Sequence, residues 1–234
     1  VGYSLQSAIA DVIDNSIEAK ASNVDVCFQH GDRSGSSNWV RIADDGRSMT
    51  ALRATEALRY GAEIEPDLDR DVYLSAFGFG LKTASTSQCR KVWLAARQHP
   101  DRALIYPRLL DLDHMRDTGE WETLEYKTAD APEALVGPLR ERPGTVVLWQ
   151  EIDRILDYAD PHGFNAKKGV DLKFQKVEEH LAMVFHRYMS RTTKPKHRKV
   201  TITLNGRLID PWDPFCLDET GPEGTVVCRE AELK

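Results

Sequence analysis

Apolar residues recur at helical spacing near the start of the chain. At about 100° per residue, Ile9, Val12, Ile13 and Ile17 fall on one side of a wheel. Asp11, Asp14, Asn15 and Glu18 fall on the other side. The spacing predicts a helix over residues 4–21. The pattern then changes to alternation, and residues 24–28 and 39–42 read as strands around a polar loop at 31–37. The second strand stops at Asp44-Asp45-Gly46, a turn composition. Thr50 suits the N-cap of a helix running to about Tyr60. Residues 61–71 read as an acidic loop, and a further helix opens at residues 81–85. Strands are expected at 92–96, 103–106 and 144–149, with a strand pair and loops over 111–143. A long helix is expected at 170–191, and a hairpin at 200–209 around Asn205-Gly206. Helix and strand signals mix without strict βαβ alternation, which favours a two-layer α/β sandwich with a mixed sheet.

The chain has 234 residues, 41% of them hydrophobic, which suffices for a real core and excludes disorder as a whole. No apolar run approaches the roughly 20 residues of a membrane span. The net charge of −6 argues against a protein whose main work is coating nucleic acid. Cys27, Cys89, Cys216 and Cys228 form no Cys-x-x-Cys pair, so reduced thiols in a cytoplasmic or nuclear setting are expected. The chain opens at Val1 and shows no secretion signal, and its native N-terminus is expected upstream.

Four short stretches carry candidate chemistry. Asp11 and Asn15 are spaced i, i+4 and point the same way. The carboxylate suits a water and the amide oxygen a hard cation such as Mg²⁺, although a plain solvated helix face has the same pattern. Asp44 ends a strand beside Gly46 and Met49. An ionised carboxylate only accepts hydrogen bonds, which suits an exocyclic amino group such as adenine's, while the glycine admits a ring and the thioether offers it a soft surface. An ordinary Asp-Gly turn would look alike. Gly78 and Gly80 precede a helix start and Lys82 follows, a composition for an anion site or for a flexible turn. Thr145, after Gly144, can share a hydrogen bond or a water with a ligand.

Taken in order, these stretches resemble the GHKL ATPase superfamily of DNA gyrase B subunits, ninety-kilodalton heat-shock chaperones, MutL proteins and sensor histidine kinases. Residues 11–19 (Asp-Val-Ile-Asp-Asn-Ser-Ile-Glu-Ala) resemble its N-box, and residues 44–49 (Asp-Asp-Gly-Arg-Ser-Met) its adenine motif. Residues 77–85 (Phe-Gly-Phe-Gly-Leu-Lys-Thr-Ala-Ser) resemble its lid glycine motif, and Gly144-Thr145 its late Gly-Thr pair. Residues 81–85, Phe185-His186-Arg187-Tyr188, and Asn205-Gly206 leading to Pro211-Trp212-Asp213-Pro214-Phe215 look most like microrchidia (MORC) members.

The resemblance implies a Bergerat ATP-binding fold with a largely antiparallel sheet and helices on one face. It implies an ATP-binding domain at 1–199 with a lid near 61–80, and at 200–234 the domain's end or the start of a transducer domain. It assigns Asn15 to Mg²⁺, Asp44 to the adenine amino group, and Thr145 to help through water. Met49, Ala19 and Gly46 would line the base, and Gly78, Gly80, Leu81, Lys82 and Thr83 would wrap the phosphates. Asp11 would be the general base in a position where relatives carry glutamate. One methylene less predicts slow ATP hydrolysis. Ser48 replaces a usual glycine, which would strain the turn if φ were positive there.

The implied function is an ATP-driven conformational and dimerisation switch, DNA-associated as in MORC, MutL and gyrase-like proteins. A histidine-kinase-type phosphotransfer domain and a nonhydrolysing ATP-sensing scaffold are the alternatives. Residues 180–209 hold seven bases and no acid, a net +7 that leaves −13 for the rest. The stretch suits contact with the DNA backbone through 187–207, and equally suits a solvated helix end and loop, where bases are favourable.

Overall fold

The computed structural model describes residues 3–31, 38–59, 80–156, 163–189 and 199–214. Eight strands form one sheet. They are β1 (Asn23–Gln29), β2 (Trp39–Asp44), β3 (Lys91–Arg97), β4 (Tyr106–Asp111), β5 (Leu124–Glu125), β6 (Gly144–Gln150), β7 (Thr201–Leu204) and β8 (Arg207–Leu208). Their order is β5-β4-β3-β6-β2-β1-β7-β8. Every pairing is antiparallel except β1 with β7. The expected α/β architecture with a mixed, largely antiparallel sheet holds.

Period-2 alternation divides the strands between two cores. Val40 and Ile42 of β2, Val92, Leu94 and Ala96 of β3, and Val147 and Trp149 of β6 face one way. Helices α1 (Leu5–Glu18), α2 (Ala51–Leu58), α3 (Gly80–Thr86) and α6 (Phe164–Val184) bring apolar residues to that side. Ile9 and Ile13 of α1 are fully buried there, worth about 2 kcal/mol each. Ala43, Trp93, Ala95, Val146 and Leu148 face the other way and meet Leu135, Val136 and Leu139 of α5 (Glu133–Glu141). Helices on one face therefore describes α1, α2, α3 and α6, and α5 adds cover on the reverse.

Residues 111–143 hold more helix than expected. Besides α5 they contain α4 (Leu112–Thr118) and a 3-10 turn at Thr128–Asp130. Asp111 caps α4 by accepting from the N–H groups of Asp113 and His114, and Gly119 ends it at φ +76°. The strand expected at 103–106 instead runs Tyr106–Asp111. The long helix begins at Phe164, six residues early, and stops at Val184 before the short α7 (His186–Met189). The hairpin turn is as expected, with Asn205 and Gly206 at φ +50° and +75°. The loops expected at 31–37 and 61–71 lie, but for Gly31, outside the described residues.

Buried Arg97, at the end of β3, ties the reverse face together. Its guanidinium donates to the carbonyls of His99, Pro100, Arg102, Leu139 and Arg140. Two of these are the last-turn carbonyls of α5, where the helix dipole favours a cation.

Candidate functional site

The candidate residues converge where β2 ends beneath α1. Ser4 caps α1, accepting from Ser7 N–H at 3.2 Å. The helix then lays Val12, Ile13 and Ser16 into the protein and leaves Asp11, Asp14, Asn15 and Glu18 toward solvent. Ser16 is a polar residue on the apolar side of a helix. Such a group needs a buried partner. It donates through Oγ to Asp44 Oδ2 at 2.9 Å.

Asp44 is buried, and both of its oxygens are engaged. Oδ1 accepts from Gly46 N–H at 2.9 Å. Thr145 stands opposite Asp44 in the β2–β6 register. Burial pushes the Asp44 pKa up to about 6. The bonds from Gly46 and Ser16 pull the other way, and the charge of Asp45 adds to the rise. An ionised Asp44 thus keeps unspent acceptor capacity in a dry setting, the property wanted of a group that reads an amino group.

Its neighbour Asp45 has the opposite fate. Burial raises its pKa, but the side-chain and backbone N–H bonds of Asn23 and the backbone N–H of Ser22 outweigh that and hold it below the ordinary value. These contacts span 2.6–2.8 Å. Asp45 is a clamp on the start of β1.

Two glycines permit the close approaches. A Cβ on Gly46 would lie 2.9 Å from the carbonyl oxygen of Ala19, at the C-cap of α1. A Cβ on Gly144 would lie 1.9 Å from the Asp44 carbonyl oxygen, and Gly144 has φ +149°. Arg47 N–H closes the joint by donating to the Ala19 carbonyl at 2.6 Å. Met49 is buried in the α1-side core. The expected strain at Ser48 is absent, since Ser48 is not among the non-glycine residues with positive φ. Its hydroxyl instead donates to the Gly144 carbonyl at 2.7 Å.

The α3 side differs. Gly80 opens α3, which packs on α1, with Thr83 exposed and Leu81 half-buried. Gly78 lies outside the described residues. Lys82 is buried, and its Nζ donates to the carbonyl of Arg59, just past α2, at 2.7 Å. Burial pulls its pKa down. Asp11 is half-exposed, and its charge raises the Tyr3 pKa. A partial loss of solvation and the charges of Asp11 and Glu18 raise the pKa of exposed Asp14.

Asp44, Gly46, Ala19 and Thr145 thus form one contiguous group under α1. Asn15 and Asp11 lie on the outer face of the same helix, and the α3 residues border it. Sequence reasoning missed two participants, Ser16 as a ligand of Asp44 and Arg59 as the acceptor for Lys82. Ser16 had a signal, a hydroxyl facing inward among Val12 and Ile13. Arg59 acts through its backbone and had none.

Among the described residues no helix is long and apolar enough to cross a membrane. Of the basic stretch only Arg187, Lys199 and Arg207 are described, the other bases falling within residues 190–198. No curated protein matches the chain. One solved structure, the N-terminal domain of a DNA repair protein, is 14% identical with a TM-score of 0.45. The match covers 86% of this chain and 48% of that one, so this chain spans about half the length of that relative. A model of the histidine kinase-, DNA gyrase B- and HSP90-like ATPases matches residues 3–139, which include the Asp44 turn, α1 and α3. On that match, which takes in more than half of the sequence, the chain belongs to this ATPase family.

Proposed function

We propose that the chain binds Mg-ATP with its adenine at Asp44 and hydrolyses it slowly, as a switch that changes conformation and self-associates with nucleotide. The observation that carries the reading is Asp44 itself. It is a buried carboxylate with both oxygens aligned by Ser16 and Gly46, facing Thr145 across the end of the sheet. In this reading its remaining lone pairs take the adenine amino group, Thr145 assists through water, and Ala19, Gly46 and Met49 flank the ring.

The donor chemistry on the outer face of α1 suits Mg²⁺. Asn15 offers an amide oxygen, the kind of donor a hard cation takes, although among the described residues no three or more His, Cys, Asp or Glu side chains converge as a metal site. Asn15 would hold the ion, which supplies charge neutralisation at the phosphates when bound. Gly78, Gly80, Leu81, Lys82 and Thr83 would hold the phosphate oxygens. Asp11 would orient the attacking water and accept its proton, and the γ-phosphorus–oxygen bond to ADP breaks as water adds. Its short reach makes turnover slow.

The motif resemblance supports a MORC-like, DNA-associated setting, with 1–199 as the nucleotide domain and 187–207 as the nucleic-acid contact. It also supports ATP-dependent dimerisation. Titration calorimetry with Mg-ATP and a phosphate-release assay test the core reading. Wild type should bind and turn over slowly, and Asp11→Asn should still bind while losing turnover about a hundredfold or more. If Asp44→Ala leaves ATP affinity intact, the adenine assignment fails. Light scattering with a nonhydrolysable ATP analogue tests dimerisation, and salt-sensitive fluorescence anisotropy tests DNA contact.

A further inference from the structure

A hydroxyl closes the turn that follows Asp44. Ser48 Oγ donates to the Gly144 carbonyl at 2.7 Å. Gly144 opens β6 directly against the Asp44 carbonyl, where no Cβ would fit. One residue later, Thr145 stands opposite Asp44 in the antiparallel β2–β6 register. The backbone from Asp44 to Ser48 and the backbone from Gly144 to Thr145 therefore make a ring. One end is closed by the pairing of Thr145 with Asp44 in the sheet and the other by Ser48 on Gly144. Glycine brings no side chain to anchor itself, and it is the residue with most backbone freedom to lose. The Ser48 bond supplies the anchor from across the ring.

We propose that Ser48 is a positioning residue for purine recognition. By fixing the Gly144 carbonyl it holds Thr145 against Asp44 and keeps water away from the carboxylate. This rests on the adenine reading of Asp44. The groups that face Asp44 are Ser16 from α1, Gly46 from the turn, Thr145 from β6 and the charge of Asp45, whose own neighbour is Arg142 at 4.0 Å. Breaking the Ser48 bond loosens only the β6 side of that shell.

The test is titration calorimetry of the whole chain with adenosine and with Mg-ATP from pH 5 to 8. It uses wild type, Ser48→Ala, Ser48→Thr and Asp44→Ala. Ser48→Ala should weaken adenosine and ATP by the same factor, about fivefold, the worth of one hydrogen bond. Adenosine affinity in wild type should fall below about pH 6, as Asp44 takes up a proton. In Ser48→Ala that fall should move to lower pH as water reaches the carboxylate, and Ser48→Thr should restore both readouts. A general loss of stability would not move the pH at which binding falls. Unchanged affinity and pH profile in Ser48→Ala, alongside a wild type that binds and an Asp44→Ala that does not, overturns the role of Ser48 alone. A wild type that binds no adenosine overturns the adenine reading and this proposal together. If Ser48→Ala fails to fold, Ser48→Cys, with its weak S–H donor, takes its place. Equal behaviour of Ser48→Cys and wild type then counts against the proposal.

Discussion

Two groups of residues border α1 and are built on opposite plans. Around Asp44 each carboxylate oxygen has a fixed partner, Ser16 of α1 on one and Gly46 of the turn on the other, with Thr145 of β6 paired opposite in the sheet. Around α3 Lys82 is held by a contact outside the proposed chemistry, its ammonium donating to the Arg59 carbonyl. The difference teaches where preorganisation has been placed. On the proposed reading, the end that would take the base is set before a ligand arrives, while the end that would take phosphates would have to exchange its contacts to engage one.

The sharpest way to break this contrast is at the rigid end. Gly144→Ala drives a Cβ onto the Asp44 carbonyl at a φ that suits glycine. It should cost about 3 kcal/mol or more in urea denaturation, and a cost under about 1 kcal/mol would mean the ring is pliable. Next comes the electrostatic cost of the rigid end. The Asp44 pKa is raised in the folded state to about 6 from 3.8, so the folded state holds its proton more tightly than the unfolded one. The stabilising contribution of that proton is fully present below about pH 3.8 and is lost as pH rises through about 6. Asp44→Asn, which removes the buried charge, should therefore raise stability at pH 7.5 by on the order of 2–3 kcal/mol. Most of the gain should vanish by about pH 4.5. Equal gains at both pH values, read by thermal melts, would show that Asp44 is already neutral or well solvated. The smallest effect concerns the exchangeable end. Lys82→Met should lower ATP affinity about tenfold and leave adenosine affinity unchanged if the ammonium is recruited by phosphate. A lower melting temperature with equal losses for ATP and adenosine would instead mark Lys82 as a fastener between α2 and α3.

Much of this arrangement was legible in the sequence, and the reasons differ by element. The first helix announced itself through four isoleucines and valines at 3.6-residue spacing. β6 and the β7–β8 hairpin announced themselves through an unbroken apolar run and an Asn-Gly turn. The region 111–143 did not. α4 buries none of its residues, so no apolar stripe exists to read, and its Asp111 cap and Gly119 stop were not read. α5 is short and carries Gly137 and Pro138, both poor helix formers. It is helical because Leu135, Val136 and Leu139 cover the reverse face and Arg97 binds its last carbonyls. β4 was misplaced because Pro107 and Arg108 interrupt its pattern. That arginine is buried, donating to Thr55 Oγ1 at 2.7 Å, and so joins β4 to α2. In the site, side-chain roles could be guessed from residue type. The partners of Ser48 and Lys82 are backbone carbonyls 96 and 23 residues away, which spacing cannot reveal.

The one parallel pairing has a consequence for how the molecule comes into being. β1 lies near the start of the chain, yet the strand that covers its flank is β7, and Thr203 reaches Asp25 across 178 residues. During synthesis β1 must wait with one row of amides open until the ribosome has made some two hundred residues. At about 5–20 residues per second that is a delay on the order of ten seconds or more. Chaperone dependence, or aggregation when translation stalls between α6 and β7, should therefore trace to that uncovered border.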